Sequence, residues 1–159
     1  MEVRKIKENQ DTPNGYLATQ ALNELTMLHN ALEDIFEVHF ARYSLSRPKF
    51  NALIHLYMTG DHGLIQSELS KKMMVSRANI TGLIERLEKE GLVVRRNDPS
   101  DKRVFRVCLT NRASALIQAF LPVHNNYMVK VMSILNNHEK ELLILLLRKL
   151  NKGLDSIDV

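Results

Sequence analysis

Cysteine is nearly absent from this chain. The single one, Cys108, cannot close an internal disulfide, which fits a protein working in a reducing cytoplasm. No run of about 18 uncharged apolar residues exists, so a membrane-spanning helix is excluded. The first eight residues, Met1 to Glu8, hold no apolar stretch of the signal-peptide kind, and the expected location is the cytoplasm. A Gly-rich phosphate loop and a Gly-x-Ser-x-Gly elbow are both missing, so no enzyme and no cofactor are expected. The six histidines are scattered, and Glu37-x-His39 with the distant His124 makes a poor ligand set, so no metal site is expected. There is no internal repeat. What remains is 159 residues, 45% of them hydrophobic and 25% charged, enough for one domain or one protomer of an intertwined dimer.

The most organised stretch runs from Ser76 to Gly91. Ile80, Leu83, Ile84 and Leu87 fall at i, i+3, i+4 and i+7, which predicts one buried helical stripe. Ser76 stands where an N-cap belongs, and Gly91 where a left-handed C′ residue belongs. On the face opposite the stripe lie Ala78 and Gly82, flanked by Asn79 and Thr81. A mid-helix glycine costs about 1 kcal/mol relative to alanine, so something is expected to approach closely there. Small and polar residues on the outer N-terminal half of a helix suit insertion into a DNA major groove. Arg77, Asn79 and Thr81 could reach base edges or phosphates, Ala78 a thymine methyl, while Ser76 holds the helix N-terminus toward phosphate.

Taken alone, that helix is an ordinary amphipathic one; its neighbours decide. Ile65 to Met73 predicts a short helix, and Met74-Val75 a tight turn, which together make a helix-turn-helix. Afterwards, Leu92–Arg96 and Val104–Leu109 read as two strands joined by the turn segment Asn97 to Arg103, a hairpin or wing. Arg95 and Arg96 are adjacent on a strand and face opposite ways, so at most one should reach phosphate. Residues 71 to 103 hold nine Lys/Arg against five Asp/Glu, a balance of +4. The whole chain is 22 against 18, also +4, which leaves the remainder neutral at 13 against 13. All the net positive charge lies on the proposed DNA-reading unit, as phosphate binding requires.

The run SELSKKMMVSRANITGLIERLEKEGLVVRRNDPSDKRVFRVCLT resembles the core of the MarR (multiple antibiotic resistance regulator) family. The Ser-capped helix, the Leu-Glu-Lys-x-Gly-Leu-Val exit, the Asp-Lys-Arg wing and the closing Leu-Thr each occupy the position their role needs. The resemblance implies a mainly α fold, with a winged helix-turn-helix, a two-stranded β wing, and N- and C-terminal helices forming an intertwined dimerisation region. It also implies a short strand beside the wing near His62-Gly63-Leu64, and a wing in which Arg103 enters the minor groove. Asp101 would orient that arginine, with Lys102 on the backbone.

The flanks fit. Residues 1–15 are polar and expected to be a flexible arm without a DNA role, since Arg4, Lys5 and Lys7 are countered by Glu2 and Glu8. Residues 16–45 and 110–159 form the expected helical dimerisation region, around a 46–109 DNA-binding domain. Leu17 to Tyr43 carries a long amphipathic pattern, and Ser46-Arg47-Pro48 starts another helix. Thr110 is placed to cap the next helix, which Pro122 is expected to kink or split. The last helix, from His138, contains six consecutive apolar residues, Leu142 to Leu147; apolar all round, it asks for a partner, most simply its own copy. A homodimer predicts a pseudo-palindromic, inverted-repeat operator on double-stranded DNA, with half-sites about 34 Å apart.

Proteins resembling this one commonly respond to a small aromatic or phenolic effector, and repression is their common mode. Candidate pocket residues are His29, His39, Arg42, Tyr43 and His55, with Arg42 suited to a carboxylate. Cys108, on the second wing strand, does not match a thiol sensor's N-terminal position and is expected to be structural. The competing readings are a winged-helix protein–protein interaction module and a non-specific architectural DNA binder.

Overall fold

The computed structural model describes residues 13–154 and 156–157. The arm expected over 1–15 lies outside the described residues up to position 12. Pro13 to Gly15 already belong to α1, Pro13–Ala41, four residues earlier than the apolar pattern suggested. Then come α2 (Arg47–Thr59), a single 3₁₀ turn (Gly60–His62), β1 (Leu64–Ile65), α3 (Gln66–Met73) and α4 (Arg77–Lys89). The hairpin is β2 (Val93–Asn97) and β3 (Phe105–Leu109), and two further helices follow, α5 (Asn111–Val131) and α6 (Asn137–Leu154).

The chain divides into two compact units, one ending at Thr110 and the other starting at Asn111. In the first, α2 is capped by Ser46, whose Oγ accepts the Lys49 N–H at 3.5 Å. Pro48 in the first turn has no N–H to leave unpaired. The core gathers Phe36 and Phe40 of α1, Leu53 and Leu56 of α2, Leu69 of α3, and Ile80, Ile84 and Leu87 of α4. Each such side chain contributes about 1.5–3 kcal/mol of burial before the entropy of ordering is set against it. Ile65, expected to open α3, is instead a strand residue, and Glu68 reaches back to its N–H at 3.1 Å.

The sheet is three-stranded and antiparallel, in the order β1-β3-β2. Val93 faces Leu109 and Asn97 faces Phe105 across the hairpin, while Leu64 pairs Val107. The two-stranded wing therefore leans on a third, very short strand. Gly63 makes that pairing possible: its φ is +59°, and a Cβ there would lie 2.4 Å from the Val107 carbonyl oxygen.

In the second unit α5 runs through Pro122 without splitting, and its buried residues Ala113, Ile117 and Phe120 form one stripe. The Asn136-Asn137 break is a capping box: Asn136 Oδ1 accepts the Glu139 N–H at 3.0 Å, and Glu139 Oε2 accepts the Asn136 N–H at 2.7 Å. None of the described residues of α6 is buried, and Leu142, Ile144, Leu145, Leu146, Leu147, Leu150 and Leu154 are all exposed. No helix of the described residues is long and apolar enough to cross a membrane.

Candidate nucleic-acid interface

The second helix of the helix-turn-helix, α4, is fixed at both ends. At its start Ser76 Oγ accepts the Asn79 N–H at 3.3 Å. At its end Gly91, with φ +66°, donates to Glu88 O, and Leu92 donates to Leu87 O, the paired bonds of a Schellman stop. Ile80, Leu83, Ile84 and Leu87 are buried, so the opposite face must be outward. Arg77, Ala78 and Asn79 are indeed exposed, and a Cβ built on Gly82 meets nothing within 4 Å. The small residues leave a shallow groove between this face and Pro48, Met73 and Val75.

Two ion pairs hold the end of α4. Glu90 Oε1 lies 2.6 Å from Lys49 Nζ of α2, and Glu88 Oε2 lies 3.5 Å from Arg95 Nε of β2. The second pair turns Arg95 toward the helix and leaves Arg96 as the one of that couple outside any ion pair among the described residues. Thr81 is less free than its position suggested. Its hydroxyl sits 2.9 Å from the Arg77 carbonyl oxygen and 3.3 Å from Gln66 Oε1, tying α4 to the start of α3.

The turn into α4 carries an unusual backbone. Met74 ends α3 in the left-handed region, at φ 54° and ψ 40°, and its side chain is 93% exposed. An L-residue adopts that conformation at a cost of about 1 kcal/mol or more.

At the wing tip Lys102 and Arg103 are exposed, and neither is in an ion pair among the described residues. Asp101 does act on Arg103, through the backbone: its Oδ1 accepts the Arg103 N–H at 2.9 Å. Asp98 supports the tip from below, its carboxylate accepting N–H groups of Ser100 and Asp101 and pairing with Arg106. The Ser100 N–H, then the Arg106 guanidinium, hold the Asp98 carboxyl below the usual carboxylate range, and Asp98 raises Arg106 in return.

Sequence reasoning missed three residues here. Arg86 continues the outward face of Ala78 and Gly82 at i+8 and i+4, a spacing that periodicity alone could have reached. Asp98 and Arg106 needed the hairpin register, which no local pattern supplies.

The five pocket candidates are only partly together. The buried His39 ring lies 6.4 Å from that of Tyr43, and burial followed by the charge of Arg42 lowers its pKa. His29 is exposed and ten residues earlier on the same helix, about 15 Å along its axis. His55 sits on α2, where its carbonyl lies 3.4 Å from Thr59 Oγ1. A separate cavity lies under the end of α1, lined by Phe36, Glu37, Leu45 and Arg47, and holds none of the five. Cys108 is buried, with Sγ 3.8 Å from the Asp61 carbonyl oxygen, as a structural residue would be. No group of three or more metal-ligating side chains is found among the described residues.

A capped helix presented beside a basic hairpin, on a helix-turn-helix with a third strand behind it, defines a winged helix-turn-helix protein. The sequence profile of the MarR family matches residues 45–105. The transcriptional repressor YetL of Bacillus subtilis is 35% identical over 116 residues, covering 73% of this chain and 70% of YetL. The chain belongs to the MarR family, whose members are transcriptional regulators and not enzymes. Two solved structures share the fold. An S. aureus MepR–DNA complex matches with a TM-score of 0.72 at 21% identity, over 85% of this chain and 96% of that one. The organohalide-sensing regulator RdhR, in its 2,4-dichlorophenol-bound form, matches with a TM-score of 0.76 at 22% identity, over 90% and 86%.

Proposed function

We propose that this chain acts in the cytoplasm as a homodimeric, sequence-specific repressor that binds an inverted-repeat operator. The observation that carries this reading is the shared exposure of one small, polar helix face and one unpaired basic wing tip. Arg77, Ala78, Asn79 and Thr81 read the major groove, with Ser76 at the phosphates. Arg103 enters the minor groove, Lys102 meets the backbone, and Asp101 shapes the turn that presents them. Arg96 is the phosphate contact of β2, since Arg95 is engaged by Glu88. Repression is supported by the likeness to YetL, a repressor by name. The reading of a second copy is supported by the exposed leucines of α6 and by the exposed Leu17, Leu22, Met27 and Leu28 of α1.

Selection from a random duplex library at two salt concentrations tests the reading. An inverted repeat with half-sites about 10 bp apart is expected. Arg103→Ala is expected to weaken binding to that operator by about tenfold or more with an unchanged melting temperature. Recovery of no sequence at either salt would overturn the assignment, and binding at low salt with nothing enriched would make the protein an architectural binder.

Release by a small aromatic or phenolic ligand belongs to the same reading, with RdhR's dichlorophenol as the parallel. The residues brought together, His39, Arg42 and Tyr43, suit an aromatic acid, the guanidinium taking the carboxylate. Benzoate should lower operator affinity in the parent chain and not in Arg42→Ala; equal response in both removes Arg42 from the site.

A further inference from the structure

The base of the wing turn is built more tightly than its tip. Asp98, the first residue after β2, is only 8% exposed, one of three buried polar or charged residues among those described. Its Oδ1 accepts the Ser100 N–H at 2.7 Å and the Asp101 N–H at 3.2 Å, and its own N–H donates to the Val104 carbonyl at 2.8 Å. Its Oδ2 accepts from Nε of Arg106 on β3. Across the hairpin, Arg106 pairs with Arg96; toward the other edge its Nη1 lies 3.5 Å from the Gly63 carbonyl oxygen. Glu68, in the first turn of α3, adds its charge to the surroundings of the same guanidinium. Arg106 thus joins the wing turn to the entrance of the helix-turn-helix.

An isolated two-stranded ribbon twists and bends easily, and a small tilt at its base becomes a larger displacement at its tip. Binding groups must be held within about 0.5 Å of their productive place to keep their affinity. A carboxylate that accepts two turn N–H groups and a guanidinium fixes the turn, and the reach to Gly63 ties that turn to the start of β1, which leads into α3. We infer that Asp98 and Arg106 are positioning residues that set where Lys102 and Arg103 stand relative to α4, and that neither touches DNA. This rests on the reading of Arg103 as a DNA contact.

The test is a double-mutant cycle on the selected operator with the full-length chain. Arg106→Gln is expected to weaken binding about tenfold when Arg103 is present and less than about twofold in an Arg103→Ala background. Arg106→Lys should recover part of the loss, because an ammonium still meets Asp98. Asp98→Asn keeps the turn acceptor and removes the ion pair, so it should reproduce the Arg106→Gln pattern and serves if that variant does not fold. Amide exchange at Ser100 and Asp101 should quicken in Arg106→Gln while α4 stays protected. An Arg103→Ala chain that binds like the parent overturns the wing reading itself. A weak Arg103→Ala chain beside an Arg106→Gln chain of parental affinity, or equal losses in both backgrounds, overturns the positioning role alone.

Discussion

Two helices of this chain carry rows of leucine and isoleucine and treat them in opposite ways. In α4 the apolar residues form one stripe, and Ile84 is 0% exposed against its own chain. In α6 they run consecutively from Leu142 to Leu147, and Leu145 is 62% exposed. The stripe of α4 meets a core of its own chain; the leucines of α6, among them Leu142, Leu146, Leu150 and Leu154, meet none among the described residues. The helix-turn-helix and wing close their core within one chain, and the last helix does not. The helix α1 holds both behaviours, with Leu17, Leu22 and Met27 exposed in its first half and Phe36, His39 and Phe40 buried near its end.

The largest expected effect is at α6. Leu146→Glu removes nothing from the fold of one chain, because that side chain is 51% exposed. If two copies meet there, an unpaired charge enters an apolar interface, and self-association should fall by about a hundredfold or more, with operator affinity following. Sedimentation and DNA binding read this together. A variant that assembles and binds like the parent would end the comparison, since α6 would then need no partner.

Ile84→Ala is the converse substitution. It should leave self-association alone and lower stability by about 2–5 kcal/mol through the cavity left in the core. Chemical denaturation measures it; a loss below about 1 kcal/mol would mean that the site collapses around the smaller residue.

How much of this was legible in the sequence follows the same line. The stripe of α4, its Ser76 cap and its Gly91 stop were readable because each is a relation between residues three or four apart. The exposed leucines of α6 were readable because six consecutive apolar residues reach past the stripe that one neighbour covers. Lys49 with Glu90, separated by 41 residues, and Arg106 with Gly63, separated by 43, were not readable. Those pairs depend on where distant elements come to rest. Ile65 was misplaced for a related reason: a two-residue strand is imposed by its partner β3 and has no pattern of its own.

Smaller effects sharpen the contrast inside the self-contained half. Met74→Gly should stabilise the chain by about 0.5–1 kcal/mol, because glycine adopts the left-handed turn without strain and the exposed side chain has little to lose. A destabilised Met74→Gly chain would show that the methionine side chain is held in a way its exposure conceals.

The smallest effect is at His39. Its pKa is lowered by burial and then by Arg42, so the unfolded chain takes up the proton first as the pH falls. Stability from this residue is therefore present above pH ~6.5 and lost below it. Between pH 7.5 and 5.5 the melting temperature of His39→Gln should fall less than the parent's, by ~2 °C. Identical slopes would remove His39 from the buried end of α1.

Gly60 and Gly63 stand three residues apart with nearly the same φ, +60° and +59°, yet they are open to change to different degrees. Around Gly60 there is empty space, so there only the backbone objects: φ +60° with ψ −143° is a conformation that residues other than glycine adopt under strain. At Gly63 the first carbon of any side chain would strike the Val107 carbonyl oxygen and the sulfur of Cys108. Every missense change of a glycine codon brings such a carbon. In evolutionary terms the junction between wing and helix-turn-helix is closed at that codon, while the exposed loop residues Asp61 and His62 beside it are free to drift.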